Sequence, residues 1–330
     1  MKIRYGIVST ATIVPRFVQG VKDSDHGVVH AICSRSLKKA EQMAKELDIM
    51  NAYGSYEELL QDKDIDIVYI PTPNYLHYEY AKKALLANKH VLLEKPFTLS
   101  LVEAEELFTL AQEKNKFIME AQKAVFLPIT NKIKELIEQN VLGDIRYISM
   151  HASFPGNYTF DHWMYSKECG GGALFGSNAY TVEYLLHLFD VKTLQYEGIC
   201  IKTITGIPES CQFQFVINHN IVGASNITMN VKTKNEAVIY GTKGYIEVEN
   251  YWKARKMKIV VEGNEQIIEY PCPCEFVYEV NHVNECLLNQ CFISPIMTKE
   301  KTLLSVRVTE KMNQLFQNPS NDFTFEISKL

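Results

Sequence analysis

Short apolar runs of strand length and apolar faces of helical period take turns along the first part of the chain. Ile3–Val8 reads as a strand, followed by a turn at Ser9–Thr12 and a helix from about Ile13 to Val21. Pro15 suits the first turn of that helix, where a missing N–H costs nothing. Val28–Cys33 is a second strand, and the helix after it, Leu37–Leu47, carries Ala40, Met43, Ala44 and Leu47 on one face. Ile67–Ile70 and the helix Leu76–Ala87 come next, then strands at His90–Leu93 and Phe117–Glu120. Strand and helix alternate throughout, which predicts an α/β domain with a parallel doubly wound sheet.

The pattern changes after Pro128. A helix over Pro128–Gln139 ends near Gly143, Ile145–Phe154 is a strand, and Pro155–Gly172 is a loop rich in glycine, aromatic and polar residues. The glycine run at its end opens a helix from about Asn178 to Phe189, with Tyr180, Tyr184 and His187 on a common side. Strand-like runs follow at Thr193–Thr203, Cys211–Ile217, Ile221–Asn230, Glu236–Tyr240 and Tyr245–Glu249 without helices between them, which predicts an antiparallel or mixed sheet. Helices over Glu275–Asn289 and Thr298–Phe316 close the chain. The expected division is residues 1–122 and residues 123–330, an α/β domain followed by an α+β domain with a large, mostly antiparallel open sheet. Helices on one face of that sheet would leave the other uncovered, so a homodimer through it is expected.

Composition removes several classes of function. A length of 330 residues accommodates two domains, and a net charge of −5 argues against nucleic acid as the main partner. No apolar run is long enough for a membrane span, and the opening MKIRYGIVST lacks the apolar core of a secretory signal, so a cytoplasmic protein is expected. The eight cysteines then read as thiols. Cys272 and Cys274 are spaced C-x-C, unlike a zinc ribbon, and no metal site is expected.

Candidate chemistry gathers where strands hand over to helices, the edge at which open parallel sheets bind ligands. After Val91–Leu93 come Glu94, Lys95 and Pro96, and then Ser100 and Glu103 in capping-box spacing. The turn after the first strand, Ser9-Thr10-Ala11-Thr12-Ile13, stands where a dinucleotide fold holds pyrophosphate on backbone N–H groups, although the G-x-G-x-x-G fingerprint is absent in its strict form. The second strand ends in Ser34-Arg35-Ser36, with Lys38 and Lys39 behind and no acid for a ribose 2′-hydroxyl; a cation with hydroxyls suits a 2′-phosphate, and hence NADP over NAD. Pro71-Thr72-Pro73-Asn74, with His77 just beyond, forms a stiff loop suited to lining a nicotinamide pocket.

The succession DIDIVYIPTPNYLHYEYAKKALLANKHVLLEKPFTLS resembles the Gfo/Idh/MocA oxidoreductases. Pro128, GDIRYISM and Gly170-Gly171-Gly172-Ala173-Leu174 continue the resemblance. GTKGYIEVENYWKARK, YEVNHVNECL and SPIMT are similar to its branch of dimeric dihydrodiol dehydrogenases and NADP-dependent xylose dehydrogenases. The resemblance implies a Rossmann domain paired with an open-sheet domain, an active site marked by Glu-Lys-Pro, and an NADP-dependent (or NAD-dependent) oxidoreductase acting on a small sugar, polyol or cyclic diol.

Hydride transfer at a carbinol carbon requires a group that takes the hydroxyl proton, or gives it in reverse. Lys95 and Tyr180 are the two candidates. Both ordinarily titrate near pH ~10, and a base working near neutrality must fall by about three pH units, about 4 kcal/mol. Tyr180 is read as the proton carrier and Lys95 as the charge that tunes it, with the reverse assignment open. Glu94 orients Lys95 or the ribose, and His162, Trp163 and Asn178 are candidate substrate walls. Gly176 and Asn178 stand where the resembled branch has Asp and Gly, and Glu183 where relatives carry Asp or His. Two other functions fit the same fold: a dinucleotide-sensing binding protein, and an NAD-dependent glycoside hydrolase, which the missing acid after the second strand disfavours.

Overall fold

The computed structural model describes residues 2–156 and 159–317. Positions 157 and 158 of the expected loop, and 318–330 of the expected second domain, lie outside the described residues.

The first sheet contains β1 (Ile3–Val8), β2 (Gly27–Cys33), β3 (Asn51–Tyr53), β4 (Ile67–Ile70), β5 (His90–Glu94) and β6 (Ile118–Ala121), all parallel, in the order β3-β2-β1-β4-β5-β6. That is the doubly wound order, with the strand sequence reversing between β1 and β4. Helices α1 (Val14–Lys22), α2 (Leu37–Leu47), α3 (Tyr56–Gln61), α4 (His77–Leu86) and α5 (Leu101–Glu113) connect the strands. Strand β3 and helix α3 add to the expected pattern; at three and six residues, neither shows a period. Ser100 Oγ accepts the Glu103 N–H at 3.4 Å, capping α5 as expected.

The second sheet has eight strands in the order β14-β13-β12-β11-β7-β10-β9-β8: β7 (Ile145–Ser153), β8 (Leu194–Lys202), β9 (Pro208–Ile217), β10 (Ile221–Thr228), β11 (Glu236–Gly241), β12 (Gly244–Glu249), β13 (Lys256–Val261) and β14 (Asn264–Glu269). Only β7 and β10 pair in parallel; the other ladders are antiparallel. Helices α6 (Pro128–Glu138) and α7 (Gly172–Leu188) cover one face, burying Ile133, Leu136, Tyr184 and Leu188 against Ile148, Phe215 and Ile239. The sequence placed the start of α7 at about Asn178, but the helix begins at the glycine run itself. Every residue of it except Gly176 is buried, so no polar face marks its first turns.

The last two helices, α8 (Phe276–Leu288) and α9 (Lys299–Gln317), return to the first sheet. Phe276, Val280 and Val283 join one of its cores and Val306 the other. Close approach of α8 depends on Gly20: a Cβ there would meet the Phe276 Cβ at 2.5 Å. Among the described residues, no helix is long and apolar enough to cross a membrane.

Candidate active site

Tyr180 and Lys95, 85 positions apart by their numbering, are brought together by the docking of α7 beside the carboxyl end of β5. The Lys95 amine stands 4.6 Å from the Tyr180 ring centroid and donates to the Gly176 carbonyl at 2.5 Å. That carbonyl lies one helical turn before Tyr180, so Lys95 is tied to the helix that carries the phenol. The ring stacks on Trp252 (centroids 5.5 Å apart) and lies 5.9 Å from Phe154. Burial pushes the phenol up, and Lys95 pulls it down. Glu94 holds the strand end in place: one oxygen accepts the Tyr69 hydroxyl at 2.6 Å, the other the Lys95 N–H at 3.2 Å.

Beside this pair lies a cleft of about 730 Å³. Ser9, Thr10, Ala11 and Thr12 line it at the switch point, Ser34, Arg35, Ser36 and Lys39 at the end of β2, and Pro71, Thr72 and Pro73 after β4. His162 and Trp163 close it from the second domain, so these two expected substrate walls face the dinucleotide cleft. Ser9 takes the position of a fingerprint glycine with φ +87°. A side chain there costs about 1 kcal/mol, offset by its hydroxyl, which accepts the Ala11 N–H at 3.3 Å and donates to the Pro71 carbonyl at 3.1 Å. Helix α1 has no side-chain cap, leaving N–H groups that an anion can take. Arg35 is exposed where a 2′-phosphate would lie. The donor set thus fits a phosphorylated dinucleotide.

Six expected contacts do not line the cleft: Glu94 and Lys95, which stand with Tyr180, and four that lie elsewhere. His77 is fully buried, with Nδ1 2.7 Å from the Pro96 carbonyl and Nε2 2.9 Å from the Thr72 carbonyl. It therefore braces two loops instead of meeting a cofactor. Asn74 is buried and spends its amide donor on the Gly170 carbonyl at 2.8 Å, joining the stiff loop to the glycine run. Ile13 packs against the core of the first sheet. Asn178, expected as a substrate wall, is fully buried between α9 and β8: it donates to Thr309 Oγ1 at 3.0 Å and accepts the Tyr196 hydroxyl at 2.7 Å. Two residues before Tyr180 on a helix, it points away from the phenol.

Sequence reasoning passed over Lys123, Trp252, Arg16 and Glu279. Lys123 follows β6, the strand next to β5, and its buried amine lies 5.5 Å from the Tyr180 centroid and 5.0 Å from that of Phe276. Burial lowers its pKa, while Glu94 and Glu279 favour its charge. The rule that singled out Lys95, a polar residue at the carboxyl end of a strand, applies equally to Lys123.

Glu183 is not turned to the cleft. It is buried with Glu120: Gln122 donates to Glu183 at 2.7 Å, and Glu120 accepts the Phe97 N–H at 2.9 Å beside the Lys95 loop. Burial pushes the Glu183 carboxyl up to about 7. Folded protein therefore holds a proton that unfolded chain releases near pH ~4.3, and stability falls as pH rises through that window. Glu183→Gln, permanently neutral, is expected to match the wild-type Tm at about pH 4 and to exceed it by a few degrees at pH 8 in thermal melts. A variant less stable than wild type at pH 8 would contradict this.

Comparison with known proteins agrees with the geometry. Residues 3–122 match the model of the oxidoreductase family with NAD-binding Rossmann fold, and residues 130–247 that of the GFO/IDH/MocA C-terminal domain. A trans-1,2-dihydrobenzene-1,2-diol dehydrogenase from Xenopus tropicalis is 31% identical over 332 residues, covering 96% of this chain and 98% of the relative. A 3-ketoreductase from Actinomadura kijaniata, solved with NADP and TDP-benzene, superposes with a TM-score of 0.86 at 22% identity, over 95% of this chain and 98% of its own. An aldose-aldose oxidoreductase from Caulobacter crescentus, complexed with glycerol, gives 0.85 at 21% identity, over 97% and 98%.

Proposed function

The chain belongs to the Gfo/Idh/MocA family of oxidoreductases, and from that premise we propose that it transfers a hydride between NADP and the carbinol or carbonyl carbon of a small sugar, polyol or cyclic diol. The observation that carries the reading is the Lys95 amine 4.6 Å from the Tyr180 ring beside a cleft lined by phosphate-binding elements. The names of the relative and of the two solved proteins, a diol dehydrogenase, a ketoreductase and an aldose oxidoreductase, support the substrate class. Ser9–Thr12 and the start of α1 would hold the pyrophosphate, and Ser34–Ser36 with Lys39 the 2′-phosphate. When bound, NADP takes or supplies the hydride and, oxidised, adds a positive charge to the site.

The chain's own residues manage the proton. Burial keeps the Tyr180 phenol protonated at neutral pH, ready to donate to a developing alkoxide. Lys95 opposes that burial and favours the phenolate needed for oxidation. Phe154 and Trp252 hold the ring, and Glu94 fixes the lysine backbone. The dinucleotide unit is taken as residues 1–122 and the substrate unit as 123–330, with α8 and α9 docking back onto the first.

The test is the initial rate of NADP reduction across sugars, polyols and diols, with NAD in parallel. Arg35→Asp is expected to lower kcat/KM for NADP by about tenfold to a hundredfold and to shift preference toward NAD. An unchanged preference would place the 2′-phosphate elsewhere.

A cytoplasmic homodimer is part of the same proposal. The face of the second sheet that no described helix covers carries a ladder of Val222, Tyr147, Tyr240 and Tyr245 across four strands, with Ile199 and Ile201 exposed to 70% and 65% on β8. Sedimentation is expected to give twice the chain mass; a monomer at every concentration would remove the dimer from the account.

A further inference from the structure

The chain as a whole is acidic, with a net charge of −5, yet one cavity between its halves is walled by cations. It is an open cavity of about 790 Å³ between the start of α1, the turn Tyr251–Lys253, the first residues of β13 and the loop before α8. Arg16, Lys253, Arg255 and Lys256 line it against two carboxylates, Glu249 and Glu275. Glu275 is already spent on an ion pair with Arg16, which leaves the other three cations facing one exposed carboxylate.

A relay of side-chain contacts runs from the cationic wall to the proposed reaction centre. Arg16 and Lys123 approach the same ring, Phe276, at 5.6 and 5.0 Å from its centroid. Lys123 in turn lies 5.5 Å from the centroid of Tyr180. Lys253 follows directly on Trp252, which stacks on Tyr180. Burial first, then Arg16, Lys123 and Arg255 together, push the Lys253 amine down. Like charges gathered in this way repel one another until an anion comes among them. Neutral hydroxyls would leave that repulsion standing; a phosphoryl or carboxylate group would relieve it through charge-assisted hydrogen bonds.

We propose that this cavity is the anion subsite of the substrate: the sugar or polyol carries a phosphoryl or carboxylate group, held by Lys253 and Arg255 with Lys123 behind them. The inference rests on the oxidoreductase reading above and narrows its substrate class. Arg255 brings a planar fork suited to two oxygens, and Lys253 a mobile point charge.

The test uses the full-length protein saturated with NADP, so that the dinucleotide cleft is filled. Inorganic phosphate is titrated calorimetrically, and turnover is compared for glucose, glucose 6-phosphate and glucuronate. One-to-one phosphate binding is expected, weakened about tenfold or more in the Lys253→Gln/Arg255→Gln double variant. One anionic sugar is expected to exceed glucose in kcat/KM by about tenfold or more, and the variant should remove that advantage through KM while leaving glucose turnover unchanged. Whether the phosphate or the uronate arm wins identifies the anion. Phosphate binding that is absent or indifferent to the double variant overturns the subsite, as does glucose turned over as well as both anionic sugars. Binding that depends on Lys253 and Arg255, without turnover of these sugars or of any substrate in the wider screen of sugars, polyols and diols, supports the anion site and overturns the oxidoreductase reading instead.

Discussion

Tyr180→Phe is expected to lower kcat by about a thousandfold while leaving the affinity for NADP within about twofold. The substitution removes one hydroxyl and little else. The phenyl ring still stacks on Trp252 and Phe154 and still lies under the Lys95 amine. Tyr180 is outside the lining of the dinucleotide cleft, so cofactor affinity has no reason to change. What is lost is the group that gives or takes the proton at the substrate oxygen. Steady-state kinetics with a cofactor fluorescence titration separates the two effects. Near-normal turnover in the phenylalanine variant would transfer the proton to another group, Lys95 first.

Lys95→Met is the second large effect. Methionine keeps most of the apolar stem but removes the charge and the 2.5 Å bond to the Gly176 carbonyl. Lys95 is the largest influence lowering a phenol that burial raises. Without it, the phenolate form becomes harder to reach. The expected loss in kcat for oxidation is about a hundredfold to a thousandfold. The alkaline rise of the rate should move to higher pH than in wild type, because the base now titrates higher. A uniform loss at every pH would mean that Lys95 positions the substrate without tuning the phenol.

The alternation of strands and helices was legible because β1, β2, β4 and β5 are short apolar runs and α2 carries a clear face. The hairpin of β13 and β14 was missed although its two-residue turn, Glu262-Gly263, has positive φ at both positions, 50° and 81°, as a tight antiparallel turn requires. The charged residues of those strands masked the alternation. Lys95 could be found locally, from a polar pair after a buried strand, and Tyr180 mainly through family resemblance, since α7 is buried all round. His77 and Asn178 were misplaced for a common reason: polar residues near a site look like ligand contacts until their partners are known. Those partners, the Pro96 carbonyl and Thr309, come from separate elements. Lys123 escaped because Phe276 and Glu279, which build its surroundings, belong to a helix far along the chain.

The central claim is that the Lys95 amine and the Tyr180 phenol work as one proton-transfer unit. A double-mutant cycle on kcat, with Lys95→Met, Tyr180→Phe and the two combined, tests it most directly. The account predicts that the combined variant loses little more than the worse single one, since the lysine acts through the phenol. Losses that multiply would show two independent contributions and contradict it.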